Sequence, residues 1–425
     1  MGSSPEFAPE ALVAGNTPAL LWRLLPDPAP EEWGAAVEAC VDLLPGGRQA
    51  WQEGGWARLA AHVLAEGQFG PDHWRLSAGQ GLYYALRRLV PATVRRALRR
   101  AAYTRQRSAA ALGWPIEDRY VRFQFATVRH LLRSQGRCSA PFVWFWPEAA
   151  EYALVLTHDV ESGRGQRFVR ELAALDERLG LRSSFNFVPE SYPLDRGLLG
   201  ELRGRGFEVG VHGLRHDGRL FASEAGFRAR ARRVNRYLKE WQAAGFRAPM
   251  THRHPGWMQA LDVAYDLSFF DTDPLETIAG GTMSIWPFFM GRFVELPYTL
   301  PQDHVVLHTL GERTPSTWLE KLDFLARHGG MALLNAHPDY LEHPEHLRVY
   351  ERFLREVQRR GGYWNALPRD VARWWRARAR SRAASGDGRW QVEGLPGATV
   401  GTVLLTGERV SLSREPLAEA GRLVR

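Results

Sequence analysis

From Tyr152 to Arg376 the sequence alternates short apolar runs with longer stretches of helical periodicity, and no other feature restricts the fold as much. Tyr152 to Thr157 (YALVLT), Ser183 to Val188, Phe207 to Val211 and Met331 to Ala336 (MALLNA) read as buried strands. Gln166 to Leu179, the stretch around Gly197 to Arg203, Ser223 to Ala244 and about Glu345 to Arg359 read as helices, with Ser223 and acidic Glu224 as a helix start. Strand followed by helix, repeated, implies parallel strands with helices outside: an α/β fold, either an open doubly wound sheet or a barrel. In both architectures the C-terminal strand ends carry the site. Chemically useful residues stand at those ends here: Asp159 and Glu161 after the first strand, His212 and His216 after the third, His337 after the last.

His212-Gly-Leu-Arg-His216 is the strongest local signal. Two histidines four apart lie on one face of a helical turn or converge from a loop, and imidazole is a preferred ligand of zinc-like metals. The pair alone is weak evidence. In Asp159-Val-Glu161, residues two apart in an extended segment point the same way, so both carboxylates can enter one pocket. Like charges in one site push their protonation apart, so one can bind metal while the other acts as base. Two histidines and one carboxylate leave a coordination position open, which marks a catalytic site, and Lewis-acid hydrolysis of an amide or ester follows. Taken singly, either carboxylate reads more simply as a cap for the helix that follows.

Composition excludes several classes. The 425 residues, 45% apolar and 24% charged, describe a folded globular chain with room for a main domain and additional segments. No run of about 18 apolar residues suggests a membrane span. Cys40 and Cys138 make no disulfide framework. Met1 to Glu10 lacks the pattern of a secretory signal, so a cytoplasmic location is expected, and Met1 to Phe7 (MGSSPEF) reads as an appended piece to be set aside. The net charge of +8 is uneven: from His73 to Pro115 there is no acidic residue, while Arg87, Arg88, Arg95, Arg96, Arg99, Arg100, Arg105 and Arg107 alternate with apolar residues. A basic amphipathic helix over 87–107 suits an anionic membrane surface, or a solvated face docked on its own domain. No nucleic-acid motif accompanies it, so nucleic acid is not an expected partner. Several of the 16 Trp residues stand near the polar motifs, where indole faces can line a carbohydrate groove, although each can equally be a core residue.

Three regions are expected: a mostly helical 1–146 ending in the aromatic run Phe142 to Trp146, a catalytic barrel over 147–380, and a 381–425 tail. In the tail Ser381 to Gly388 reads as a linker and Trp390 to Leu412 as a small β appendage.

Thr157 to Glu161, His212 to His216, Arg253-His-Pro255 and Leu334-Asn-Ala-His337 follow one another in the order and approximate spacing of the motifs of the polysaccharide deacetylases, carbohydrate esterase family 4. The resemblance covers about Glu151 to Arg376 and implies a distorted (β/α) barrel. It further implies that Asp159 is the catalytic base, that His212 and His216 bind a divalent metal, most commonly zinc, that Arg253 pairs with Asp159, and that His337 protonates the leaving amine. The chain departs from the family in three places. Val160 stands where many members have a second, metal-binding Asp, so the ligand role passes to Glu161. Gly256 follows Pro255 where a Tyr is common, with Trp257 as a replacement pocket wall. The acid that pairs with His337 is to be sought in Asp271 or Asp273, which can also be turn formers beside Pro274.

The substrate expected on these grounds is an acetylated sugar or glycan precursor, nucleotide-linked or lipid-linked if intracellular. Another amide, such as a cyclic imide or ureide, is the alternative. A non-catalytic binding protein on the same fold is a third reading, favoured by Val160 and opposed by the intact set of base, histidines and arginine.

Overall fold

A computed structural model describes residues 7–75, 110–386 and 389–415, so the basic helix expected over 87–107 lies outside the described residues. Strand β1 (Ser139–Val143) precedes the repeat that the alternation foretold. The repeat begins with β2 (Tyr152–Val160), buried along its whole length, as expected of a parallel strand covered on both faces. It continues with β3 (Ser183–Phe187), β4 (Glu208–His212), β5 (Gly245–Arg247) and β6 (Tyr265–Asp266). Strands β7 (Phe288–Met290), β8 (Phe293–Glu295), β9 (Met331–Ala336) and β10 (Tyr363–Asn365) follow.

Parallel pairing runs from β2 through β3, β4, β5 and β6 to β8, and β9 lies parallel against the other side of β2. The circuit is completed by a single parallel bridge, Leu300 to Leu334, which joins the chain after β8 to β9. The result is a distorted (β/α) barrel of seven parallel strands, with β7 antiparallel on β8 and β10 alongside the start of β2. Helices Gly163–Arg178, Arg196–Gly204, Glu224–Trp241, Ser316–Arg327 and Pro344–Arg360 lie between the strands in sequence. The starts are capped as their sequences allow: Ser162 accepts from the amides of Arg164 and Gly165, Asp195 from that of Leu198, and Ser223 from that of Gly226.

The three expected regions are one packed body. Strand β1, from the helical region, pairs antiparallel with β13 (Val400–Thr406), which in turn pairs with β14 (Arg409–Ser413). The C-terminal strands therefore complete a sheet begun before the barrel, and are not an appendage. Most of the span expected to be a linker, Arg382–Gly386, is strand β11, paired with β12 (Arg389–Glu393). Arg378, buried at 1% exposure on the helix Pro368–Arg380, donates to the carbonyls of Leu21, Val143 and Trp144 and so ties that helix to the helical region. Asn16 exchanges two hydrogen bonds with the backbone of Phe289 on β7. Phe7, set aside on sequence grounds, has its carbonyl 3.1 Å from where a Cβ on Gly256 would lie. Among the described residues no helix is long and apolar enough to cross a membrane.

Gly245 shows how closely the short strands approach. A Cβ there would lie 1.9 Å from Cζ of Tyr265 on β6, whose hydroxyl is committed to Glu208 at 2.8 Å. Gly245→Ala is expected to destabilise the protein by about 1–3 kcal/mol through overpacking. Gly200→Ala, on a helix where nothing stands within 4 Å, should instead stabilise it by up to ~1 kcal/mol. Chemical denaturation of both variants checks the contrast, and equal midpoints would show that β5 and β6 are not so closely apposed.

Candidate metal centre

Strand β2 carries Asp159 to its C-terminal end, β4 carries His212 to its own, and the loop after β4 brings His216 back towards Glu161. Glu161 Oε1 lies 2.9 Å from His216 Nε2 and 3.9 Å from His212 Nε2. Ligands 2.0–2.1 Å from a tetrahedral centre are separated by roughly 3.3 Å, so these contacts bracket the spacing that one ion requires. The candidate ligand atoms of all three residues fall within 4.8 Å of one another. His212 Nδ1 stands 3.1 Å from the carbonyl of Arg247. Donation to that carbonyl leaves Nε2 deprotonated and turned to the triad, the tautomer a metal ligand needs. The donor set thus fits a divalent ion of zinc type. Burial works against the Glu161 carboxylate, but His216 and His212 hold its pKa well below the ordinary value.

Asp159 is 2% exposed and hydrogen-bonded through both oxygens. Oδ1 accepts from Asn186 at 2.9 Å and from Arg247 at 3.2 Å, and Oδ2 accepts from Asn335 at 2.9 Å. Burial disfavours the charge, yet Arg247, His212 and His337 outweigh it, and the carboxylate pKa falls below its usual range. The cation beside Asp159 is therefore Arg247, at the end of β5, and not Arg253 as the motif assignment implied. Arg253 instead forms a buried pair with Glu66 of the helical region, at 2.5 Å. The sequence held the signal: Arg247-Ala-Pro249 is a second Arg-x-Pro six residues upstream, placed at a strand end. With the motif moved there, the position expected at Gly256 is Met250.

His337, at the end of β9, has Nδ1 2.6 Å from Asp303 Oδ1 and Nε2 3.8 Å from Glu161 Oε1. Burial alone would depress the imidazolium, but Asp303, Glu161 and Asp159 push its pKa up to about 10. Neither Asp271 nor Asp273 is the partner of His337. Asp271, 1% exposed, pairs with buried Lys321 at 2.6 Å, and Asp273, fully buried, accepts from the amide of Leu275 in a turn. Neither is placed to meet a substrate. Asp303 escaped the sequence reading because it lies in an irregular segment before a π-helical turn, His304–Thr309, with no periodicity to mark it. Asn186 and Asn335 escaped because an Asn in a strand carries no chemical signature of its own.

A cleft of about 530 Å³ is lined by Gly218 and Phe221 of the segment that follows His216. Its lining also includes Trp257, His252 and, from the helical region, Trp74 and Arg75.

Double-mutant cycles test the two arginine assignments. Arg247→Met and Arg253→Met should each cost about 3–5 kcal/mol, because each orphans a buried carboxylate. Combined with Asp159→Asn, only Arg247→Met should be non-additive; combined with Glu66→Gln, only Arg253→Met should be. Coupling between Asp159 and Arg253 in denaturation midpoints would restore the original assignment.

Comparison with protein-family models gives no match, and no curated protein matches. Solved structures do match at low identity. A protein from Mycobacterium smegmatis assigned as a polysaccharide deacetylase is 19% identical over 55% of this chain and 92% of its own, with a TM-score of 0.43. A protein from Pseudomonas aeruginosa PAO1 with the same assignment is 20% identical over 55% of this chain and 93% of its own, TM-score 0.44. An allantoinase is 18% identical over 55% of this chain and 92% of its own, TM-score 0.43. The chain is thus similar, over about half its length, to proteins of the polysaccharide deacetylase fold.

Proposed function

We propose that the barrel is a metal-dependent hydrolase that removes an acetyl group, in the first place an N-acetyl group, from a sugar or glycan precursor. The observation that carries this reading is the convergence of Glu161, His212 and His216, with Asp159 Oδ2 3.9 Å from His212 Nδ1 and His337 Nε2 3.8 Å from Glu161 Oε1. Glu161, His212 and His216 would hold a divalent ion, zinc first by the chemistry of the donors, and such an ion would supply Lewis acidity to a carbonyl and a water. Asp159 takes the proton from that water. Arg247, Asn186 and Asn335 hold the Asp159 carboxylate in one orientation, so no reorganisation is needed at the moment of transfer. His337 Nε2 holds the proton that the leaving nitrogen receives as the C–N bond breaks, and Asp303 accepts the Nδ1–H that fixes the ring. The products are acetate and the free amine.

Metal analysis and an acetate-release assay on N-acetylated sugars test this. About one ion per chain and chelator-sensitive release are expected. Asp159→Asn should keep the ion and lose turnover by roughly 10² or more, whereas His212→Ala should lose both. Metal without acetate from any N-acetyl sugar would direct attention to another amide, and absence of metal after loading with zinc would end the hydrolytic reading.

The acid limb and the basic limb of the rate profile belong to different residues. His337 is raised by Asp303, so it stays protonated until pH climbs past that raised value. Asp303→Asn removes the raising charge, and the basic limb of kcat/KM should move to lower pH by roughly one unit or more. An unmoved basic limb would take His337 out of the acid role.

A further inference from the structure

Glu161 stands one residue past the end of β2, where the ladders that fix the strand have run out. The last pairs are Val160 with Phe187 on β3 and His158 with Ala336 on β9. Alternation along the strand sends Val160, fully buried, to the side opposite Asp159. The carboxylate that joins His212 and His216 therefore comes from a residue that no sheet holds. A glutamate side chain also has much rotamer freedom to lose on being fixed, so its backbone needs another anchor.

Two neighbouring loops supply it. The amide of Glu161 donates to Asp339 Oδ2 at 3.2 Å, and the hydroxyl of Ser162 donates to Asp339 Oδ1. Ser162 in turn caps the helix Gly163–Arg178. Asp339 lies on the short helix Pro338–Leu341 that follows His337, and the facing helix makes room for it. A Cβ on Gly165 would lie 2.0 Å from Asp339 Oδ2, whereas one on Gly163 would meet only Tyr192 Cβ, at an ordinary 3.9 Å. From the loop after β3, the Tyr192 hydroxyl donates to the carbonyl of Val160 at 2.6 Å. Its neighbour Ser191 accepts from the amide of His216 at 3.1 Å. That carbonyl of Val160 and the amide of Glu161 are the two polar ends of one peptide unit. With side chains bound at both ends its plane is fixed, and with it the direction in which Glu161 leaves the backbone.

We infer that Asp339 and Tyr192 are positioning residues for the metal centre, which hold the Val160–Glu161 peptide so that the Glu161 side chain is aimed at His212 and His216. Gly165 is the position that lets Asp339 reach. The inference rests on the metal centre proposed above and is indifferent to the substrate.

The full chain is stripped with chelator, and its zinc affinity is read by competition with a chromophoric chelator, without substrate. The wild type should take up about one ion. Asp339→Ala should weaken binding roughly 10–100-fold, the usual effect of removing a group that orients a ligand. Gly165→Ala should do the same, while Gly163→Ala binds as the wild type does. Tyr192→Phe should weaken binding by roughly threefold or more, the worth of one hydrogen bond. In the Glu161→Ala background Asp339→Ala should cost nothing further, because its effect passes through Glu161. Denaturation of the metal-free variants separates loss of fold from loss of affinity. Equal affinity in wild type and Asp339→Ala, or the same further loss in the Glu161→Ala background, overturns the positioning role and leaves the metal centre standing. A wild type that binds no zinc overturns both. Zinc bound with the expected variant effects, but without acetate release, upholds the positioning role and overturns the deacetylase reading alone.

Discussion

The ion pair between Asp159 and Arg247 is the constraint on which the centre of this barrel depends. Both residues are almost fully buried, 2% and 0% exposed, and a carboxylate so placed costs several kcal/mol unless it is paired and hydrogen-bonded. Arg247 meets the need from β5 and also binds other strands together. Its NH1 donates to Thr157 on β2 at 2.9 Å and to Asn335 on β9 at 2.6 Å, and its Nε donates to the carbonyl of Leu267 after β6 at 2.9 Å. Asn335 reaches Asp159 in turn, and Gln302 accepts from Asn335 at 2.9 Å. One guanidinium thus sets the spacing of strands that are distant in sequence, and the carbonyl of the same residue orients His212.

The polar character of this interior extends below the site. Asp266 and Glu295, on the neighbouring strands β6 and β8, are both fully buried. Burial is the first cause that raises each pKa, and the charge of Asp266 raises that of Glu295 further.

The helical region completes the barrel. Strands β5 and β6 are very short, and the ring closes only through the bridge from Leu300 to Leu334. Glu66 and Asn16 supply partners that the barrel lacks, a counter-charge for Arg253 and hydrogen bonds to the backbone of β7, while β1 supplies an edge for β13 of the tail. Helical region and tail meet in that last sheet, and most buried apolar residues of all three regions belong to one cluster.

Much of this was legible in the residues alone. Periodicity gave β2, β3, β4 and β9 within a residue or a few, because long apolar runs in parallel strands are nearly unambiguous, and it gave four of the five helices between the strands because their apolar stripes are wide, while Ser316–Arg327 went unread. The placing of Asp159, Glu161, His212, His216 and His337 at strand ends followed from topology. Strands of two or three residues, such as β5, β6 and β8, give no periodic signal, and so the arginine at the end of β5 was passed over for a similar motif downstream. The choice between Arg247 and Arg253, and between Asp303 and Asp271 or Asp273, is made by which side chains the closed ring brings within hydrogen-bond reach. The sequence by itself determined the alternating α/β plan and which residues are proposed as metal-binding and acid–base groups, since these depend on local pattern and side-chain chemistry. Tertiary structure alone decided their partners, and the joining of helical region, barrel and tail into one body, since those pairings span up to some hundreds of residues and are selected by the cost of burying unpaired charge.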